Sequence, residues 1–78
     1  MSDLLFITAD DCHLCEHGRR VLDSLGIVRR ELASESDEAT QLAARGIPLS
    51  FLPVLTDGTH VLAYGRLSAN RLRHDFGL

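Results

Sequence analysis

The apolar residues of this chain change their spacing from block to block. Residues 3–9, Asp-Leu-Leu-Phe-Ile-Thr-Ala, hold a nearly continuous apolar run. A run without alternation suits a strand covered on both faces, in the middle of a partly parallel sheet. Further on the spacing turns helical: Leu14, Gly18, Val21, Leu22 and Leu25 fall on one face of an amphipathic helix over residues 13–25. Gly18 on that face permits close packing against a sheet, and Gly26 is a good C-terminal stop.

Ile27 to Leu32 reads as a second strand, and its paired arginines and glutamate predict an edge position. Ser34-Glu35-Ser36-Asp37 looks like a helix start with acids in the first turn. Ala39, Leu42 and Ala43 give that helix a thin apolar face, ending near Gly46. Residues 47–53 form a loop with two prolines. Val54–Thr56 and His60–Tyr64 flank Asp57-Gly58, a strong hairpin signal. Ser68 caps a last helix over 69–76, with Leu67 before the cap and Leu72 after it placed as a hydrophobic staple.

The predicted order is therefore β-α-β-α-β-β-α, an α/β domain occupying 1–78 without repeats or linkers. Its first two strands are joined by a helix, so they should run parallel. The hairpin adds an antiparallel pair.

Composition narrows the class. A chain of 78 residues makes one small domain with a modest core. With 45% hydrophobic and 24% charged residues it is too apolar for disorder and too punctuated for a membrane span. The N-terminal apolar run is too short for a signal-peptide core and lacks a basic flank, so a cytoplasmic protein is expected. A net charge of −3 supplies no basic field for nucleic acid or an anionic membrane. All eight basic residues are arginines, able to grip carboxylates through two parallel hydrogen bonds.

The chemistry lies in residues 9–17, Ala-Asp-Asp-Cys-His-Leu-Cys-Glu-His, which hold the chain's two cysteines. A strand feeding directly into Cys-X-X-Cys at the start of a helix is the context that makes this spacing informative. A helix N-terminus offers unpaired N–H groups and partial positive charge, which favour a thiolate. Cys12, at the helix mouth, is expected to be exposed and attacking. Cys15, one turn further in, is expected to be buried and to resolve a mixed disulfide. A protonated His13 would stabilise the Cys12 thiolate, while Asp10, Asp11 and Glu16 oppose it. The sum has no sign readable from sequence.

Two other readings stay open. A silent cysteine pair would leave a non-catalytic binding module. A zinc half-site would need a second ligand pair, which His13, His17, His60 and His74 do not supply by spacing, so no metal site is expected. These histidines are expected to be solvent-exposed, apart from His13 beside the thiols. Phe51 and Tyr64 either line a substrate groove near the cysteines, or Phe51 packs in the core and Tyr64 is partly buried with its hydroxyl in water.

At this point the chain resembles the glutaredoxins, and more closely a group of short bacterial glutaredoxin-like proteins of unassigned function. Three features carry the resemblance: the strand running into Cys12-His13-Leu14-Cys15, the segment Leu52-Pro53-Val54-Leu55 before the hairpin, and Gly65 leading into the last helix. The family carries Pro-Tyr or Pro-Phe between its cysteines, where this chain has His13-Leu14. The resemblance implies a thioredoxin-like fold, with helices on both faces of a four-stranded mixed sheet. It implies a cis proline beside the cysteines, assigned to Pro53 over Pro48, with the backbone of Leu52 pairing with substrate. It places Gly65 at the substrate; Arg66, where the chain departs from the family's pattern, either meets a glutathione carboxylate or is a surface arginine with no ligand role. The activity implied is thiol–disulfide exchange on protein disulfides or glutathionylated thiols. Glutathione would be a co-substrate, no bound cofactor is required, and a monomer is the default. Some relatives instead hold an iron–sulfur cluster by dimerising.

Overall fold

The computed structural model describes residues 3–78. The elements follow the expected order: β1 Leu5–Thr8, α1 His13–Ser24, β2 Arg30–Ala33, α2 Asp37–Ala44, β3 Val54–Thr56, β4 Val61–Tyr64 and α3 Ala69–Asp75. The four strands form one sheet in the order β2-β1-β3-β4. β1 and β2 are parallel, whereas β1–β3 and β3–β4 are antiparallel. This is a thioredoxin-like fold.

Central β1 is buried along its whole length, as its unbroken apolar run requires. Alternate side chains serve two cores. Leu5 and Ile7 join Leu32, Ala39, Leu42, Ile47 and Val54 on the α2 face. Phe6 joins Val21, Leu22, Ile27, Leu55, Leu67 and Leu72 on the face covered by α1 and α3. Gly18 makes the second layer fit: a Cβ there would lie 2.7 Å from the Phe6 ring and 3.2 Å from Leu67.

Helix ends account for one departure from the sequence reading. After α1, the Ile27 N–H bonds the Leu22 carbonyl and the Gly26 N–H bonds that of Asp23. Ile47 and Gly46 repeat the pattern onto Leu42 and Ala43 after α2. Both are Schellman closures, made possible by glycines at φ 69° and 102°. The isoleucine after each glycine folds back onto the helix's own last buried leucine, so Ile27 belongs to the cap of α1. β2 therefore starts at Arg30, three residues later than expected. Ala43 is exposed, so the buried stripe of α2 is Ala39 and Leu42 alone.

β2 is an edge strand, as its charges predicted. Its register sets Arg30 beside Leu5 and Glu31 beside Phe6, on opposite faces. Arg30 pairs with Glu38 on α2, and Glu31 pairs with Arg19 on α1. The Arg30 guanidinium holds the Glu38 carboxyl below its ordinary range. The strand is thus clamped to a helix on each side.

At the other edge, β3 and β4 pair through Val54↔Tyr64, Leu55↔Ala63 and Thr56↔Val61. The step from 61 to 63 against 55 and 56 is a β-bulge, with Leu62 the extra residue. The tip of the hairpin is closed by Asp57, whose carboxylate accepts the N–H groups of Thr59 and His60. The buried Thr56 hydroxyl donates to the His60 carbonyl and accepts from the Gly58 N–H. Ser68 caps α3 by accepting from Arg71 N–H, with Leu67 and Leu72 both buried in one cluster beside it. No helix among the described residues is long and apolar enough to cross a membrane.

Candidate active site

Cys12 and Cys15 form a disulfide, with Cα atoms 5.1 Å apart. Cys12 is the N-cap of α1: its backbone is extended, and its Sγ accepts the Cys15 N–H at 3.1 Å. The Cys12 carbonyl also accepts from the N–H groups of Cys15 and Glu16. Cysteine thus takes the place usually held by serine or aspartate at a helix start. Asp11 turns the chain from β1 into this cap, adopting a positive φ of 53°, which a short polar side chain tolerates. The two sulfurs are unequally placed. Cys15 is fully buried, whereas Cys12 is half-buried at the surface.

The sheet register brings the other expected residues to the same end. Ile7 lies opposite Val54, and Val54 lies opposite Tyr64. The residues just before Val54 and just after Tyr64 therefore sit at the end of the sheet where β1 leads toward Cys12. The Leu52–Pro53 peptide bond is cis. Pro53 is buried, and its carbonyl accepts the Gly65 N–H at 2.9 Å. This bond fastens the Leu52-Pro53 segment to the exit of β4. Leu52 is half-buried against the α2-side core. His13 and Arg66 are exposed.

Two grooves meet at Tyr64. One, of about 440 Å³, is lined by Tyr64, Arg66, Leu67, Ser68 and Arg71 among others. The other, of about 280 Å³, is lined by Pro48, Phe51, Val61 and Tyr64 and is chiefly apolar. Phe51 does not pack inward: it is 66% exposed and Tyr64 is 61% exposed, with ring centroids 6.1 Å apart. Leu14, on the predicted apolar face of α1, also reaches the surface.

His17 corrects an expectation. It is half-buried, with Nε2 3.0 Å from the Leu67 carbonyl oxygen, so it ties α1 to the entrance of α3. The helical spacing that puts His17 one position before Gly18 was a signal, since Gly18 faces the core. His60 and His74 are exposed. Among the described residues, no group of three or more histidines, cysteines and acids is placed to hold a metal ion.

What the fold and site define is a thioredoxin-like domain with a Cys-X-X-Cys disulfide at a helix mouth. No protein-family model matches the chain, and neither does any curated protein sequence.

Proposed function

We propose that this protein is a glutaredoxin-like thiol–disulfide oxidoreductase. The observation that carries the reading is the bonded cysteine pair at the mouth of α1, with one sulfur half-buried and its partner fully buried. In the reduced protein, the Cys12 thiolate attacks a substrate disulfide and the substrate's other sulfur leaves as a thiolate. Cys15 then loses its proton and attacks Cys12, releasing the second substrate thiol and closing the Cys12–Cys15 bond. The substrate disulfide gains the two electrons that the cysteine pair gives up.

Cys15 suits the resolving role because burial hides it from every disulfide except the one formed at Cys12. The cis Leu52–Pro53 segment and Gly65 support the reading by framing the same end of the sheet. Arg66 offers a carboxylate contact in its groove. Protein disulfides and glutathionylated thiols are the substrates, with glutathione as co-substrate, in a cytoplasmic monomer without bound cofactor.

The test is a redox titration. The protein is equilibrated in glutathione buffers of stepped potential, its thiols are trapped by alkylation, and the products are weighed. Reversible opening of the pair near the cytosolic glutathione poise, roughly −220 to −320 mV, supports the reading. A pair that stays in one state throughout sinks it.

A further inference from the structure

The edge strand β4 borders a groove on each face of the sheet. Its bulge sorts the side chains between them. Leu62 and Ala63 pack against the cluster on the α1 and α3 side, whereas Val61 packs against the one on the α2 side. Val61 and Tyr64 lie opposite Thr56 and Val54, two positions apart on β3, so they share the α2 face that Val54 occupies. A regular strand would part them. On that face they line the smaller, apolar groove with Pro48 and Phe51. On the other face Ala63, Leu67, Arg66 and Arg71 line the larger one. Tyr64 borders both, so the two grooves adjoin at the open edge of the sheet.

The two halves differ in kind. Phe51 and Tyr64 are exposed, and their rings are tilted by 44°. Tilted rings make a notch for one aliphatic or aromatic side chain, where base stacking needs a flat face. Beyond Tyr64 the surface is cationic. Arg66 and Arg71 are exposed. Among the described residues Arg66 forms no ion pair, and Arg71 pairs with Asp75 alone, at 3.6 Å. Residues 58–78 hold three arginines and one aspartate, in a chain whose net charge is −3. An acidic protein thus gathers basic charge beside its exposed rings. Such a patch attracts carboxylates, which arginine grips through two parallel hydrogen bonds.

We propose that this edge docks an acidic polypeptide segment bearing one large apolar side chain. The apolar side chain enters the notch between Phe51 and Tyr64, and neighbouring carboxylates meet Arg66 and Arg71. A small anion would fill the arginine side alone and leave the notch empty. A nucleic acid would find no stacking platform and would meet the repulsion of a net negative protein. Neither groove is lined by a cysteine, so the surface does not rest on the disulfide exchange proposed above.

The experiment is fluorescence anisotropy with labelled peptides and the whole protein. The first peptide carries a phenylalanine flanked on both sides by aspartates and glutamates. A second has serine for the phenylalanine, and a third has asparagine and glutamine for the acids. Oligothymidylate is the nucleic-acid arm. The first peptide is expected to bind about tenfold more tightly than either of the others, the scale of one seated ring or one matched charge pair. Its affinity should fall as salt rises. Phe51→Ser should abolish the phenylalanine preference and keep the acid preference. Arg66→Gln with Arg71→Gln should do the reverse. Arg20→Gln with Val28→Ser, at exposed residues outside both grooves, should change neither. Thermal melts confirm that each variant folds.

Equal binding by the three peptides, or saturable binding by none, overturns the assignment. So does a phenylalanine preference that survives Phe51→Ser, or an acid preference that survives the double glutamine variant. Oligothymidylate binding more tightly than the first peptide would give the surface to a nucleic acid instead. A dimer in sedimentation that the double glutamine variant disperses would give it to a second copy of this chain. Displacement of the peptide by glutathione would leave the arginines to that small thiol. Each of these three results also overturns the proposal.

Discussion

The Nε2 atom of His17 lies 3.0 Å from the carbonyl oxygen of Leu67, fifty residues along the chain. A carbonyl only accepts, so Nε2 is the donor. The bond sets the distance between the helix that carries the cysteines and the residue that precedes the cap of α3. His17→Ala removes the donor and leaves a partly buried carbonyl without its partner. Urea unfolding should show a loss of about 0.5–1.5 kcal/mol with an unchanged slope. A variant with the midpoint of the parent would show that the contact carries no stability.

Gly18→Ala sets two effects against each other. Alanine gains about 1 kcal/mol in helix propensity. Its methyl, however, would meet the fully buried Phe6 ring at 2.7 Å, and that ring is hemmed in by Leu22, Leu55 and Leu72. Overpacking of this kind costs about 1–3 kcal/mol, so the clash wins. The melting temperature should fall by several degrees, about 4–8 °C for each net kcal/mol in a domain of this size. A rise would mean that α1 shifts outward freely.

Acid should loosen the hairpin tip. The backbone N–H of His60, then that of Thr59, hold the Asp57 carboxyl below the ordinary aspartate range. A carboxyl with a lowered folded-state pKa stabilises the fold above its unfolded value, and that contribution is lost as pH falls through the lowered value. The loss therefore falls below about pH 4. Glu38, lowered by Arg30, contributes in the same direction. The unfolding midpoint measured from pH 6 to pH 2 should drop less steeply in Asp57→Asn than in the parent. Parallel curves would count against this assignment.

The two cysteines should behave differently when separated. In Cys15→Ser, the half-buried Cys12 can form a lasting mixed disulfide with a small disulfide reagent. In Cys12→Ser, the remaining thiol is the fully buried Cys15. Mass spectrometry of the native proteins should find the adduct forming at least about tenfold faster in the first variant, since access as well as thiolate character governs the reaction. Equal rates would show that burial does not divide the roles.

Much of the fold was legible because single residues spoke for it. The unbroken run through Leu5, Phe6 and Ile7 suited a central strand, and Arg30 and Glu31 marked β2 as an edge. Asp57-Gly58 and the Leu67–Ser68–Leu72 set located the hairpin and last helix. The start of β2 was misread because Ile27, apolar for the sake of a helix cap, looks like a strand residue. At the site, the unequal burial of Cys12 and Cys15 followed from their places along α1. The bulge at Leu62 and the bond from His17 to Leu67 were not legible. Both depend on partners that the linear pattern does not name.

The clamp on β2 also concerns how copies of this molecule tolerate one another. An open sheet ends in two rows of unpaired backbone groups, each a template on which a neighbour's strand could zip. Here one row is flanked by Arg30 and Glu31, charged on both faces, and the other belongs to a four-residue strand broken by a bulge. Neither offers a long, flat, neutral rail. The domain is therefore suited to crowding, whether at high expression or as linked tandem copies, without its sheets growing into one another.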